Sequence, residues 1–124
     1  MITGRNIGAR IVSEFPDARD SVAKVVEMYG QDVVGPAMFS YVSVGFFHPV
    51  FHPAIQTNDA ARIEQCYRFL EELLGSPDLG IVEAAVIRVV SWTLGPDWID
   101  ATRKFGGPLL QAELNVPNEG WPDR

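Results

Sequence analysis

Two histidines that lie four residues apart could form part of a metal site. His48 and His52 occur in the stretch FFHPVFHP, and each precedes a proline, Pro49 or Pro53. Histidines at positions i and i+4 of a helix share a face and can bind zinc together. Because a proline disfavours helical backbone at the residue before it, we expect both histidines to be extended and not to share a face. The sequence therefore favours a structural corner, whose inward-facing aromatic side chains would be Phe46, Phe47 and Phe51.

No other residues have a type and spacing that indicate catalysis or metal binding. The lone cysteine, Cys66, lies on the apolar side of a predicted helix, where a thiol acts as a small hydrophobic group. Glu71 and Glu72 form a carboxylate pair, but neighbours on a helix point about 100° apart and do not converge on one atom. The sequence therefore predicts no catalytic residue, no metal and no cofactor.

Length and composition indicate one globular domain. The chain has 124 residues, of which 47% are hydrophobic and 21% are charged, and this balance supports a buried core. A single cysteine cannot form an internal disulfide, which fits a reducing compartment. No basic segment precedes an apolar stretch near Met1, so we expect no signal peptide and a cytoplasmic location.

The charge is unevenly distributed along the chain. The 16 acidic and 10 basic side chains give a net charge of −6. This balance argues against nucleic acid as a partner, because binding to a phosphate backbone requires a concentrated positive patch. Residues 59–83 hold six acidic and two basic side chains, and therefore four of the six excess negative charges. A basic protein is the kind of partner that such a stretch would attract.

The acidic stretch falls on one side of a predicted helix. In the helix that follows Asn58, the charged side chains lie opposite Ile63, Tyr67 and Leu70. One interpretation is a solvated face, in which Arg68 pairs with the carboxylates four residues to either side. The other is a docking surface that speeds the capture of a basic partner. The residues predicted for that surface are Asp59, Glu64, Glu71, Glu72 and Asp78.

The N-terminal part of the sequence predicts three helices. Apolar side chains recur about once per turn from Ile7 until Pro16 ends the run. Asp17 is expected to cap a second helix, which ends at Gly30. A third helix is expected to follow, but the β-branched and aromatic residues of 36–47 leave a strand open.

Two segments in the middle of the chain have the clearest helix signals. The first begins with Asn58 as its cap and ends at Gly75. The second covers about 77–94, with Ser76 as its cap and Pro77 at its first position. Because the apolar side chains of this second helix lie on nearly all sides, we expect it to be the central helix of a bundle.

The C-terminal part predicts two short helices and a tail. One helix ends at Gly106 and the next begins at Pro108. Residues 116–124 are rich in turn-forming residues and are expected to be loose. The whole sequence predicts one all-α domain over 1–115, an irregular bundle of six or seven short helices around the central helix at about 77–94.

A long uncharged stretch leaves two further alternatives open. There is no Asp, Glu, Lys or Arg from Val33 to Asn58. A spanning helix needs about 20 consecutive apolar residues, and the prolines leave too few between them, so we expect no membrane segment. The aromatic stretch 38–51 could be an exposed surface for self-association. The chain could also hold a ligand pocket, whose lining would be Tyr41, His48, Tyr67 and Trp92.

The segment CYRFLEELLGSPDLGIVEAAVIRVVSWTLGP resembles small bacterial helical proteins, some of which lie among toxin–immunity genes. The likeness covers residues 60–110 and rests on FLEELL, the Ser-Pro-Asp turn and the closing LGP. It implies a cytoplasmic inhibitor that binds a toxin domain and blocks it. We therefore expect an immunity-type protein with a basic toxin as its partner. A self-associating module, which would make the chain a homo-oligomer, and a small ligand carrier or enzyme are the alternatives.

Overall fold

The computed structural model describes residues 1–30 and 36–114, and these residues form an all-α bundle of short helices, as predicted. The tail predicted at 116–124 lies outside these ranges. Two 3₁₀ turns, Pro16–Ala18 and Val90–Trp92, connect helices. The α-helices are α1 (Ile7–Glu14), α2 (Arg19–Tyr29), α3 (Pro36–Ser40), α4 (His52–Thr57), α5 (Ala60–Leu74), α6 (Leu79–Arg88), α7 (Ile99–Phe105) and α8 (Pro108–Leu114).

Helices α3 and α4 are joined without a break by a π-helical segment, Tyr41–Phe51. The stretch 36–47, for which the sequence left a strand open, is therefore helical. The segment packs against α1, α2, α5 and α6. It takes the central position in the bundle that the sequence assigned to residues 77–94. Its buried residues are Tyr41, Val42, Gly45, Phe46, Phe47, Val50 and Phe51.

The expectation of extended backbone at the two histidines is wrong. His48 lies within the π-helical segment and His52 begins α4 with φ −59° and ψ −47°. A proline in an α-helix removes a backbone donor and its ring clashes with the preceding turn. In a π-helix the hydrogen bonds run to the fifth residue back, as the bond from the His52 N–H to the Phe47 carbonyl does here. We infer that the wider turn accommodates Pro49, which a local rule about proline does not anticipate.

The expectation that Phe46, Phe47 and Phe51 pack inward is confirmed, because each is at most 2% exposed. The Phe46 ring is the centre of an aromatic cluster. Its centroid lies 5.6 Å from that of Phe15, 5.5 Å from that of Phe51 and 4.9 Å from that of Phe69. Tilted and edge-on pairs at such distances add to the stabilisation that burial provides. These rings join the end of α1, the π-helical segment and α5.

Helix α6 is shorter than the 77–94 predicted, and other elements do not cover it on all sides. It ends at Arg88, after which the hydroxyl of Thr93 donates to the Val90 carbonyl at 2.7 Å. Such side-chain bonds to the backbone compete with continued helix. Leu79 and Ile87 of α6 are 80% and 50% exposed. The helix therefore lies at the side of the bundle.

Three predicted caps differ from those observed. Asn58 has a left-handed conformation with φ 54° and ends α4, while its neighbour Asp59 caps α5. Asp17 lies inside the first 3₁₀ turn and does not cap α2. Ser76 is buried and donates to the Ile2 carbonyl at 2.6 Å. Asp78, two positions later, caps α6 instead. For Asp17, which accepts from Arg62, and for Ser76, partners that are distant in the sequence explain why local rules misplaced the cap.

The uncharged stretch 33–58 contributes mostly to the core in the part that the structure describes. Val44 is 41% exposed and His48 is exposed, while the aromatic rings between positions 41 and 51 are buried. Over residues 1–30 and 36–114, no helix has the length and apolar character needed to cross a membrane.

We expect Phe46→Ala to lower the free energy of unfolding by about 3–5 kcal/mol, because it leaves a cavity among three rings. Val44→Ala, on the exposed side of the same segment, is the matched control and should change it by no more than about 0.5 kcal/mol. Urea denaturation followed by circular dichroism measures both. Similar losses in the two variants would contradict the central position assigned to Phe46.

Candidate functional site

Helix α5 has a buried side and an exposed side. Glu64, Arg68 and Glu72 are exposed, and Glu71 is half-buried. The helix therefore presents acidic side chains away from the core. Its buried residues are Ile63, Cys66, Tyr67, Phe69, Leu70, Leu73 and Leu74.

Two of the carboxylates predicted to bind a partner cap helices. Asp59 accepts a hydrogen bond from the N–H of Arg62 at 3.3 Å and begins α5. Asp78 accepts one from the N–H of Gly80 at 3.0 Å and begins α6. Each bond satisfies a backbone donor that the helix itself leaves unpaired. These carboxylates have a structural role whether or not a partner binds.

Glu71 provides the N-terminal cap of α8 from a distance of 38 residues in the sequence. Its carboxylate accepts hydrogen bonds from the N–H groups of Leu109 at 2.5 Å and Leu110 at 3.3 Å. A Cβ atom at Gly107 would lie 2.6 Å from Glu71 Oε2, so a glycine is needed there for the carboxylate to approach. The second glycine of KFGGP thus makes room for a carboxylate, while the first lies close to the Thr102 carbonyl. The two glycines were the only local signal of this contact.

Glu72 and Glu64 differ in their surroundings. Glu72 accepts a hydrogen bond from Arg10 of α1 at 2.8 Å instead of pairing with Arg68. Both partners are partly exposed, so this ion pair contributes at most about 1 kcal/mol to stability. Glu64 is exposed and has no ion pair or hydrogen bond from its side chain within the described residues. It is the acidic residue on α5 that is most available to a partner.

The structure adds two carboxylates to this surface that the sequence did not place there. Asp17 accepts a hydrogen bond from Arg62 at 2.6 Å. The amide of Gln65 donates to the Glu14 carbonyl at 2.9 Å and to its carboxylate at 3.4 Å. We use the name acidic surface for the following residues: Glu14, Asp17, Asp59, Glu64, Glu71, Glu72 and Asp78.

The four residues predicted to line a pocket have different surroundings. Tyr41 lines a cavity between α1 and α2. Tyr67 is buried. The rings of His48 and Trp92 both contact Phe47, with centroids 5.2 and 5.3 Å from it. Of the four predicted residues, His48 and Trp92 therefore have a neighbour in common, Phe47.

His52, not His48, lines a cleft, which has a volume of about 480 Å³. The wall of this cleft includes Trp98, whose ring lies 6.3 Å from that of His52 and stacks at 5.6 Å on Phe47. Asp97 is exposed at its edge. No local sequence pattern indicates this grouping, because the histidine and the tryptophan lie 46 positions apart.

Two buried titratable groups lie on α5. Burial raises the pKa of the Tyr67 hydroxyl, and its hydrogen bond to Thr102, at 2.7 Å, opposes that shift. The Thr102 hydroxyl donates in turn to the Thr93 carbonyl at 2.7 Å. Burial also raises the pKa of the Cys66 thiol to about 12, and the nearby Arg62 partly offsets this effect. Both groups are neutral at physiological pH, and Cys66 is a core residue as the sequence predicted.

Metal binding finds no support in the part of the chain that the structure describes, where no three His, Cys, Asp or Glu side chains are grouped to hold an ion. No protein-family model matches the chain, and no curated protein or solved structure is significantly similar to it. The functional proposal therefore rests on the fold and on the surfaces described above.

We expect Glu71→Ala to lower the free energy of unfolding by about 1 kcal/mol, because two backbone donors of α8 lose their acceptor. Glu64→Ala, an exposed change on the same helix, should leave it within about 0.5 kcal/mol of the original value. Thermal or urea denaturation measures the difference. Equal effects of the two substitutions would contradict the capping role.

We expect the Cys66 thiol to resist iodoacetamide in the folded protein. At pH 8 a shift of the pKa from 9.0 to about 12 reduces the thiolate fraction about a thousandfold. Burial also keeps the reagent away from the sulfur. Labelling followed by mass spectrometry across a urea titration should track unfolding. Rapid labelling without urea would contradict the buried position.

Proposed function

We propose that this chain is a binding protein of the immunity type, which captures a basic toxin domain through its acidic surface and thereby inhibits it. The net charge of −6 supports attraction to a basic partner. A location in the cytoplasm belongs to the same proposal. That the partner is a toxin domain is proposed from the sequence alone, from the resemblance of residues 60–110 to proteins of toxin–immunity loci.

The observation that carries this proposal is the gathering of carboxylates from separate elements around the exposed side of α5. Glu14 at the end of α1 and Asp17 in the first 3₁₀ turn contact α5 side chains directly. A cleft of about 450 Å³ between α1 and α5 has Glu14, Arg68 and Glu72 in its lining. A partner that docks on α5 would meet acidic groups from all three elements.

The acidic residues contribute to capture in two different ways. A carboxylate that caps a helix, such as Asp59, keeps its negative charge and adds to the field that attracts a basic partner. Its oxygens are already used in part by backbone N–H groups. Glu64 is free to form a new charge-assisted hydrogen bond with an incoming lysine or arginine. We therefore place Glu64 at the centre of the proposed interface.

Self-association through the stretch 38–51 receives less support from the structure. Of the aromatic side chains that were to form its contact surface, Tyr41, Phe46, Phe47 and Phe51 lie in the core of the same chain, and Phe39 is partly buried against it. Val44 is the large apolar residue of that stretch with substantial exposure. A dimer interface normally needs a fully buried apolar patch of its own, and one valine does not provide it.

We expect Glu64→Lys to slow association with the partner about tenfold or more at low salt, because it replaces attraction by repulsion at the centre of the surface. The partner would first be identified by affinity capture from native cells at two salt concentrations, followed by mass spectrometry. Surface plasmon resonance then measures association rates. Glu27→Lys, an equal charge change at an exposed position of α2, is the matched control.

The two variants separate local contact from overall charge. Equal slowing by Glu64→Lys and Glu27→Lys would mean that net charge alone matters and would contradict an interface on α5. The pair Glu71 and Glu72 is less suitable for this test, because Glu71 caps α8 and Glu72 pairs with Arg10. Charge reversal there would alter folding as well as binding.

A further inference from the structure

A cavity of about 380 Å³ lies between α1, α2 and the first residue of the π-helical segment. Its size falls within the range of small-molecule sites. The walls are mostly apolar, and the polar side chains in the lining are those of Arg5 and Tyr41. The apolar residues of the lining are Ala9, Val12, Val22 and Val26.

Tyr41 offers an unused hydrogen-bonding group to this cavity. The residue is 2% exposed, and its hydroxyl has no hydrogen bond within the described residues. No fully buried side-chain oxygen or nitrogen of those residues lacks a partner, and Tyr41 lines the cavity, so we infer that its hydroxyl faces the open space there. Burial raises the pKa of this hydroxyl, which keeps it protonated and able to donate. Nearly buried polar groups without a partner are uncommon in proteins and call for an explanation.

The backbone around Tyr41 is arranged so that α1 passes very close to its ring. A Cβ atom at Gly8 would lie 2.8 Å from Tyr41 Cε1 and 3.4 Å from a Val22 methyl group. Glycine at this position therefore allows the ring to form one wall of the cavity. Tyr41 is also the first residue of the π-helical segment, and such local widening of a helix is frequent at functional sites.

We propose that this cavity binds a small carboxylate with an unbranched apolar chain, such as a medium-chain fatty acid. The chain would lie along the valines of α1 and α2, and the carboxylate would pair with Arg5 and accept a hydrogen bond from Tyr41. Arg5 is exposed and has no ion pair within the described part of the chain, so it is available for this role. This binding activity goes beyond the proposed capture of a protein partner and does not depend on it.

The test titrates the purified full chain with unbranched fatty acids of four to ten carbons and with the matching primary alcohols. Backbone amide shifts in ¹H–¹⁵N NMR spectra report both the affinity and the location. Burial of each added methylene should tighten binding up to about fourfold until the cavity is full. The amides of Gly8, Ala9, Val22 and Val26 should shift most. The acids should bind more tightly than the alcohols.

Three substitutions assign the contacts. Tyr41→Phe removes the hydroxyl but keeps the ring, and should weaken acid binding about threefold to tenfold without lowering the urea midpoint of unfolding. Arg5→Gln should remove most of the preference for acids over alcohols. Arg19→Gln is its matched control, an exposed arginine that does not line the cavity, and should have no effect.

Each contrary result would overturn a stated part of the proposal. Absence of saturable shifts with every probe, or shifts centred elsewhere, would exclude the cavity as a site for this ligand class. An affinity that does not depend on chain length would contradict the apolar walls as the binding surface. Equal binding of acids and alcohols, or equal effects of Arg5→Gln and Arg19→Gln, would contradict recognition of the carboxylate.

Discussion

The fold depends on the burial of one uncharged helical stretch against the apolar sides of the surrounding helices. The π-helical segment places seven of its eleven residues in the core, and its rings contact the end of α1 through Phe15 and α5 through Phe69. A helix with so little polar surface must be covered by other elements. The positions of α1, α2 and α5 follow from that requirement, because each of these helices buries one apolar side.

Polar contacts then fix the relative placement of the outer helices. Glu71 connects α5 to the N-terminus of α8, Glu72 connects it to α1, and Arg62 connects it to the first 3₁₀ turn. The Arg62 guanidinium also lies over the Phe15 ring, 5.5 Å from its centroid. Exposed ion pairs add little stability individually, but these contacts orient side chains that the apolar core does not reach. Within the acidic surface, Glu71, Glu72 and Asp17 are therefore held by partners on other elements.

Helical periodicity in the sequence predicted the class of fold and the helices α1, α2 and α5, because those signals are local and repeat over several turns. Predictions from local rules were wrong where contacts with distant parts of the sequence determine the local structure. Pro49 is accommodated by a π-helical turn, and Ser76 bonds to the Ile2 carbonyl. The acidic character of α5 was visible in the sequence. The capping role of Glu71 was not visible, because the backbone N–H group that donates to its carboxylate lies 38 positions away in the sequence.

The same polar contacts limit what the acidic surface can bind. Arg62 already neutralises Asp17, and Arg10 neutralises Glu72, so a basic partner must either displace these arginines or use the carboxylates that remain. Displacing an exposed arginine from its carboxylate costs little free energy. A capping hydrogen bond, in contrast, is lost only when part of the helix unfolds. The charges at Asp59, Glu71 and Asp78 are therefore fixed in position, and they can attract a partner without reorienting to meet it. In the proposed complex, specific contact is left to Glu64 and to carboxylates whose arginines can be exchanged, and this division would favour rapid capture that weakens as salt screens the field.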